Sequence, residues 1–576
     1  MPDLSIHAIR SSFFLSFASF SALTGLHAQT VPNLPDAGSL AREAGRSLQA
    51  PAAPRATQAA PAKPMPSDAK AVRVSVRRIA IEGATLITEA ELQAQVADVI
   101  DQSLTLAELE HTAQRIAEYY RQRGWYARVY LPQQDVSDGT IRIAVLEGSF
   151  GGARVQDAQD VQGVGHRADA ARVQAMVTHR LPVGQPLSAA DLERGLLIAN
   201  DLPGIRTTGL LQAGAQQGET ALALSVQDTP FVTGDAGLNN YGLRSTGRVQ
   251  ATGGIALNNM SGSGDQFALR LLAAQDIRNA VARYSLPLGT DGLRLAVHLS
   301  ALDYQLGKPY KALDAKGKAF TGGATLTYPL IRSAARNLSV SAGYEHRRYD
   351  DDMLGQALRR PRINAATLGI TGDSSAPNAI TWGGAQLTAG NVNLAGHSAD
   401  QAQDAASAST AGRYTKLSWS LGRLQNIAPG WQVQLAASGQ FASTNLASSE
   451  RLSLGGPTQI RAYPINEGTG DSGVLVKLEL QREIGNGWQA IAFYDAGRIR
   501  QHKAAWAGWN ASSSQPNSYT LQGAGLGLNW RTPNWQMTAA IAAPIGNNKG
   551  KGADGRNNDG SGASSVRAWL GLTRLF

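Results

Sequence analysis

The sequence predicts a mixed architecture: two small α+β modules followed by a closed antiparallel β-barrel in a membrane. Three observations lead there. The first 28 residues look like an export signal. Residues 71–229 carry a strand–helix–helix–strand–strand pattern twice. From about Phe231 to the last residue, short alternating runs follow one another with no closing helix pattern.

The signal comes first in the chain. Arg10 precedes an apolar run from Phe13 to Leu26, and small residues stand at 25 and 28. Residues 1–28 therefore read as a secretory signal peptide, which takes the protein out of the cytoplasm and away from genomic DNA as a partner. The chain of 576 residues has no cysteine, so a disulfide scaffold and cysteine catalysis are both excluded. Its formal charge of +9 is scattered along the chain and discriminates poorly between partners.

Within residues 29–50, "DAGSLAREAGRSLQA" (36–50) places Leu40, Ala44 and Leu48 at helical spacing. Such a helix is marginal alone and needs a surface to dock on. Residues 51–70 begin with "PAAPRATQAAPAKPMPS", a Pro/Ala-rich linker with too few apolar groups to pack.

The first module, 71–149, opens on "VRVSVRRIAIEG", read as one strand. Thr88 with Glu91, and Thr105 with Glu108, have capping-box spacing ahead of helices carrying Leu92 and Val96, then Leu109, Ile116 and Tyr120. Gly124 is placed to stop the second helix. "YARVYLP" and "GTIRIAVLEG" read as strands. The pattern recurs more faintly over 150–229, in "GARVQD", "DAARVQAMVTHRL", a helix capped by Ser188 and Asp191, and "ALALSVQD". Small sheets of this kind leave an edge that can accept an extended segment; serving as spacers is the other reading. Glu110 with His111, and the isolated His166 and His179, read as ordinary surface residues and not as metal ligands.

Residues 230–576 carry the alternation. In "VLVKLELQR", Val474, Val476, Leu478 and Leu480 oppose Lys477, Glu479 and Gln481. "GLRLAVHLS" and "GWQVQLAASGQ" behave alike. One apolar and one polar face fit a lipid-facing barrel or a large soluble β-domain. Trp419, Trp431, Trp488 and Trp530 stand where an interfacial girdle would put them. At ~20 residues per strand and connection, the region allows about 17 strands, hence 16 or 18. "SSVRAWLGLTRLF" ends in Phe576, like the closing strand of outer-membrane barrels, although Arg574 interrupts its apolar phase.

Two stretches stand apart. "LGGPTQIRAYP" (454–464) sets Arg461 in a Gly/Pro-shaped loop. In "AFYDAGRI" (492–499), Phe493, Asp495 and Gly497 share one face. A carboxylate facing lipid is costly, so this face should point into the lumen, with Gly497 leaving room for another backbone. A loop folded inward could pair Arg461 with a lumenal carboxylate; a solvated arginine is the bland alternative.

These residues carry a resemblance. Gly455, Gly456, Ile460, Arg461 and Tyr463 in the loop, with Phe493, Asp495 and Gly497 in the strand, resemble signatures of the two-partner-secretion (type Vb) transporters. These are the haemolysin/haemagglutinin secretion-activation family within the POTRA-plus-barrel superfamily. Ala462 departs from the glycine usual there. The resemblance implies a plug helix at 36–50, two periplasmic POTRA domains, a 16-stranded barrel in the outer membrane, and a lumenal loop around 454–470 with Asp495 as the partner of Arg461. It also implies a partner: a large secreted β-rich exoprotein with an N-terminal secretion domain, exported without nucleotide or other cofactor. Outer-membrane lipid and, during biogenesis, the barrel-assembly machinery complete the set. An assembly factor, a passive porin and, more distantly, a barrel hydrolase are the competing functions; no catalytic constellation stands out.

Overall fold

The computed structural model describes residues 34–48, 73–156, 167–216, 218–511, 515–563 and 565–576. The signal peptide and the Pro/Ala linker lie outside the described residues.

In the first module, Arg78–Glu82 runs parallel to Thr140–Glu147, which pairs antiparallel with Ala127–Tyr130. The helices Glu89–Ala94 and Leu106–Gln122 cover one face of this sheet with Leu92, Leu109, Ile116 and Tyr120, packed on Ile79, Ile141 and Ile143. Thr105 and Glu108 cap the longer helix reciprocally. The stretch read as one opening strand is two. Val76 donates its N–H to Gln102 O, whereas Arg77 donates to Gly139 O, so the backbone changes partner between them. Arg73–Ser75 then pairs with Ser103–Thr105 instead of joining the main sheet.

The second module repeats the topology. Ser149–Val155 runs parallel to Glu219–Asp228, whose other neighbour is the antiparallel Ile205–Ala213. The helices Ala170–Thr178 and Ala189–Asn200 cross closely, because a Cβ on Gly195 would lie 2.2 Å from Val177 O.

The remaining strands form a closed antiparallel ring from Val232–Asn239 to Arg567–Leu575. Seventeen strands take part in the pairing. Gln356–Arg359 is only a short returning arm, since Arg336–Met353 pairs directly with Arg362–Ala376. Sixteen strands therefore make the wall. Val297, Leu299, Leu368, Leu435, Leu478 and Leu570 point outward and are exposed, which in water would be an unusually large apolar surface. A hydrocarbon surround explains that surface, and ring closure leaves no unpaired edge in it. At the short-turn rim, Trp488 stacks on Trp530, Arg482 lies over Trp431, and Arg574 lies over Trp535. Arg574 thus keeps the outward phase and places its charge at the rim. Trp419 does not belong to this girdle. It lies midway along Gly412–Ala428 and covers Gly439 of the next strand. Phe576 and Gly234 exchange two backbone hydrogen bonds of 2.8 and 3.0 Å across the closing seam.

The short-turn end of the barrel rests on the second module. Asp291, in the turn Leu288–Leu293, receives Arg194 at 3.1 Å, Arg180 at 2.9 Å and the Tyr328 hydroxyl at 2.5 Å. Arg332 adds a bidentate pair with Asp201, 2.7 Å to each oxygen. Burial alone would raise the Asp291 carboxyl, but hydrogen bonds from Arg180, Tyr328 and Arg194 outweigh it and hold the group at about 2. A depressed carboxyl stabilises above its unfolded value of ~3.9 and loses that contribution as pH falls toward the folded value. Protection of the turn and of the helix Ala189–Asn200 in hydrogen exchange is therefore expected to hold from pH 7 to about 4 and to fall below it. Asp291→Asn should show the loosened pattern already at pH 7. Unchanged protection in that variant would refute the anchoring role.

Candidate functional site

Two segments that are not wall occupy the lumen. The first is the helix Ala37–Ser47. Asp36 caps it, and Ala37 donates its N–H to Asp351 Oδ1 at 2.8 Å. Leu40, Ala44 and Leu48 pack against Leu302, Tyr304, Tyr349 and Ile363 on the inner wall. The spacing-derived apolar stripe is thus the docking face, and the barrel interior is the surface this helix needs.

The second is the loop from Ser443 to Asp471. A two-residue ladder, Leu452–Ser453 with Thr469–Gly470, closes its stem. Beyond that, Gly455 and Gly456 shape the tip. A Cβ on Gly455 would lie 2.1 Å from Pro464 O, and Gly456 adopts φ +137°, a conformation disfavoured for other residues. Leu454, Ile460, Ala462 and Tyr463 are all buried, in one cluster with Phe493, Leu475 and Leu521 of the wall. This apolar packing carries Arg461 inward.

Arg461 Nε and Nη2 reach Asp495 Oδ2 and Oδ1 at 2.8 and 2.7 Å, and its backbone N–H reaches Oδ2 at 3.1 Å. Nη1 lies 2.8 Å from Glu479 Oε1. The guanidinium carbon sits 3.4 Å above the centre of the Phe493 ring. The Arg461 carbonyl accepts a 2.7 Å hydrogen bond from Trp569 Nε1 on the last strand. Arg461 is 7% exposed, and Asp495 is fully buried. One cation therefore meets two carboxylates and an aromatic face, with Lys477 next to Glu479 balancing the local charge.

The inward face of Trp488–Arg500 holds Phe493, Asp495 and Gly497 as the alternation requires. A Cβ on Gly497 would lie 2.9 Å from Leu454 and 3.1 Å from Ile460, so its hydrogen is what admits the loop. Phe576 lies apart from this cluster, at the closing seam.

Sequence reasoning left out several partners. Glu479 was in the inward phase of its strand, a usable signal. Trp569 gave none. Glu467, buried, accepts from Asn548 Nδ2 at 2.6 Å and Asn558 N at 2.8 Å, tying the loop's return arm to the connection 545–566. Glu450 at the loop stem pairs with Arg347 and Lys416 on the inner wall. The two plugs also touch: Arg42 Nη2 donates to Asn466 Oδ1 at 2.9 Å and Nη1 to Arg451 O at 3.0 Å. This chemistry binds and positions segments. Among the described residues, no cluster of three or more His, Asp or Glu is placed to hold a metal ion.

Residues 218–530, more than half of the chain, match the haemolysin secretion/activation protein family ShlB/FhaC/HecB. The chain belongs to this family. Residues 74–148 match a ShlB-type POTRA domain. The heme/hemopexin transporter protein HuxB of Haemophilus influenzae is 26% identical over 499 residues, covering 84% of each chain. The outer membrane transporter CdiB of Escherichia coli is 26% identical over 470 residues, 79% of this chain and 76% of that one. Solved structures agree in fold. CdiB from Escherichia coli gives a TM-score of 0.68 at 21% identity, over 95% of this chain and 100% of the other. BamA from Haemophilus ducreyi lacking POTRA domains 1–3 gives 0.53 at 15% identity, over 88% and 100%. The transporter is thus an outer-membrane translocase with periplasmic POTRA domains that exports a secreted partner protein through its barrel.

Proposed function

We propose that the partner of this transporter is a large β-rich exoprotein that reaches the POTRA domains unfolded and is recognised through an N-terminal secretion domain. Each POTRA sheet keeps an outer strand on which an extended segment can pair. Residues 1–28 serve as signal peptide, 29–50 carry the plug, 51–70 link it to the POTRA domains at 71–149 and 150–229, and 230–576 form the barrel. The barrel-assembly machinery reads the final strand ending in Phe576. No nucleotide and no nucleic acid take part; folding of the partner outside the cell gives direction.

The observation that carries this reading is the filled lumen. Apart from the loop's two ends, where Ser443 donates its N–H to Thr415 O and Asp471 donates its N–H to Gln501 O, helix 37–47 and loop 443–471 are held by side-chain hydrogen bonds and packing, and they are joined to each other through Arg42. Both can leave the path without opening the barrel. Arg461, Asp495 and the glycines at 455, 456 and 497 fix the loop's one resting position, with Ile460, Ala462, Tyr463 and Phe493 packing it there.

Proteomics of culture supernatant and outer membrane, with and without the gene, tests the reading. Loss of one large β-rich protein from the supernatant, with the membrane profile intact, is the expected result. Depleted outer-membrane barrels with an unchanged supernatant would instead establish an assembly factor, the competing function within the POTRA-plus-barrel superfamily.

A further inference from the structure

The outward face of the barrel carries an assembly of charges that export does not use. Strands Ile277–Leu288, Leu293–Gln305, Lys316–Arg332 and Arg336–Met353 lie side by side. Register sets Arg278 opposite Asp303, Asp303 opposite Lys318, and Lys318 opposite Asp350. One row lower, Phe320 faces Arg348, and Arg348 faces Arg362 of the next strand. All these side chains alternate with buried inward neighbours such as Asn279, Leu302, Ala319 and Tyr349, so they point away from the lumen. Four bases stand against two acids.

Height places this cluster at a boundary. Arg348 stands twelve residues above Arg336, the short-turn end of its strand. At ~3.3 Å per residue and ~45° tilt that is about 28 Å, just beyond an apolar band of ~25 Å. Phe320 and Leu271 share the row of Arg348, below Arg278 and Lys318, and lower on the same outward face lie Val297, Leu299 and Tyr344, all exposed apolar side chains. Arg278, Lys318, Arg348, Asp350, Phe320 and Leu271 all line one outward groove of about 780 Å³. Asp350 Oδ2 lies 3.1 Å from Arg348 Nε, orienting the arginine while its side chain stays 54% exposed.

The second POTRA domain docks at the opposite, short-turn end, so this rim faces the cell exterior. A groove with a basic upper edge and an apolar floor, at the depth where headgroups meet acyl chains, fits an amphiphile with an anionic head. We propose that Arg278, Lys318, Arg348 and Arg362 form a binding site for the phosphorylated headgroup of an outer-leaflet glycolipid, whose acyl chains run down over Phe320 and Leu271. Arginine suits phosphate by its planar, multiple donors. The site lies outside the export path and is independent of the identity of the exported partner.

The test uses purified full-length protein in detergent, with bound lipid counted by native mass spectrometry. The probes are lipopolysaccharide, the same glycolipid stripped of its phosphates, and inorganic phosphate. Phosphorylated glycolipid is expected to bind at least ~10-fold more tightly than the dephosphorylated form. R278Q/K318Q/R348Q should lose that preference while keeping a heat-modifiable, folded barrel. Should the triple variant not fold, Arg348→Gln alone is expected to weaken binding and Arg348→Lys to retain part of it. Equal binding of the dephosphorylated glycolipid, or an unchanged preference in the variants, would overturn the proposal. Competition by millimolar inorganic phosphate at these residues would make this a soluble-anion site and overturn the lipid assignment.

Discussion

Arg461→Ala is expected to lower export at least ~10-fold per inserted barrel, read as secreted partner against heat-modifiable barrel on the same blots. The variant removes a cation from between two carboxylates. Asp495, fully buried, and Glu479, 6% exposed, would then lose the cation they share and keep only the neighbouring Lys477. Removing one member of a buried pair costs ~3–5 kcal/mol where the remaining charge stays buried without compensation, and Lys477 beside Glu479 lowers that cost here. The wall hydrogen bonds do not depend on Arg461, so the cost falls on the resting position of the loop. Asp495→Ala should fall less far than Arg461→Ala, since Glu479 still lies 2.8 Å from Nη1. Glu479→Gln should be the mildest, since Asp495 keeps its three hydrogen bonds to Arg461. The double variant of Arg461 and Asp495 should be less damaging than the sum of the two. Normal export by Arg461→Ala would remove the loop anchor from the mechanism.

The legible part of this site follows from one rule, that a charge does not face hydrocarbon. That rule fixes the phase of Asp495, and with it the inward position of Phe493 and Gly497. It fixes Glu479 too, from the alternation around Lys477. What the rule cannot give is register. Which inward residues sit level with the loop tip depends on how sixteen strands are staggered, and Trp569 meets Arg461 across 108 positions of sequence. The connection 545–566 is similar: its Asn548 and Asn558 find Glu467 only once the last hairpin folds back over the loop. In the POTRA domains, apolar spacing and caps give the helices, but the break at Val76 is set by a tertiary hydrogen bond that its N–H donates to the Gln102 carbonyl. Trp419 shows the reverse error. A girdle position and a mid-wall position share the same outward phase, and only the strand ends tell them apart.

The departure at position 462 has a counterpart in the wall. Ala462 is 2% exposed, and its methyl group points at Gly523 on Ser518–Arg531. A Cβ built on Gly523 would lie 2.3 Å from Ala462 Cβ, less than any real pair of carbons tolerates. Gly523→Ala is therefore expected to push the loop tip off the wall. Overpacking of a filled site costs ~1–3 kcal/mol, and here the backbone of a sixteen-stranded ring and a loop held by Arg461 both resist the shift. The loss should appear as reduced export and as faster proteolysis of the loop, with the barrel still inserted. The decisive variant is A462G/G523A. It moves one methyl group across the gap, and the next nearest atoms to the new Cβ are Ala543 O at 3.2 Å and the Cα of residue 462 at 3.6 Å, distances that a small adjustment accommodates. Export should recover most of the way to wild type, although either single change alone is harmful or neutral. Such a reversal is the mark of two positions that share one volume. If the double variant were no better than Gly523→Ala, the glycine would matter for the strand itself and not for the alanine it faces. Recovery would mean that the loop tip needs a close fit to the wall, and that glycine can supply the missing space from either side.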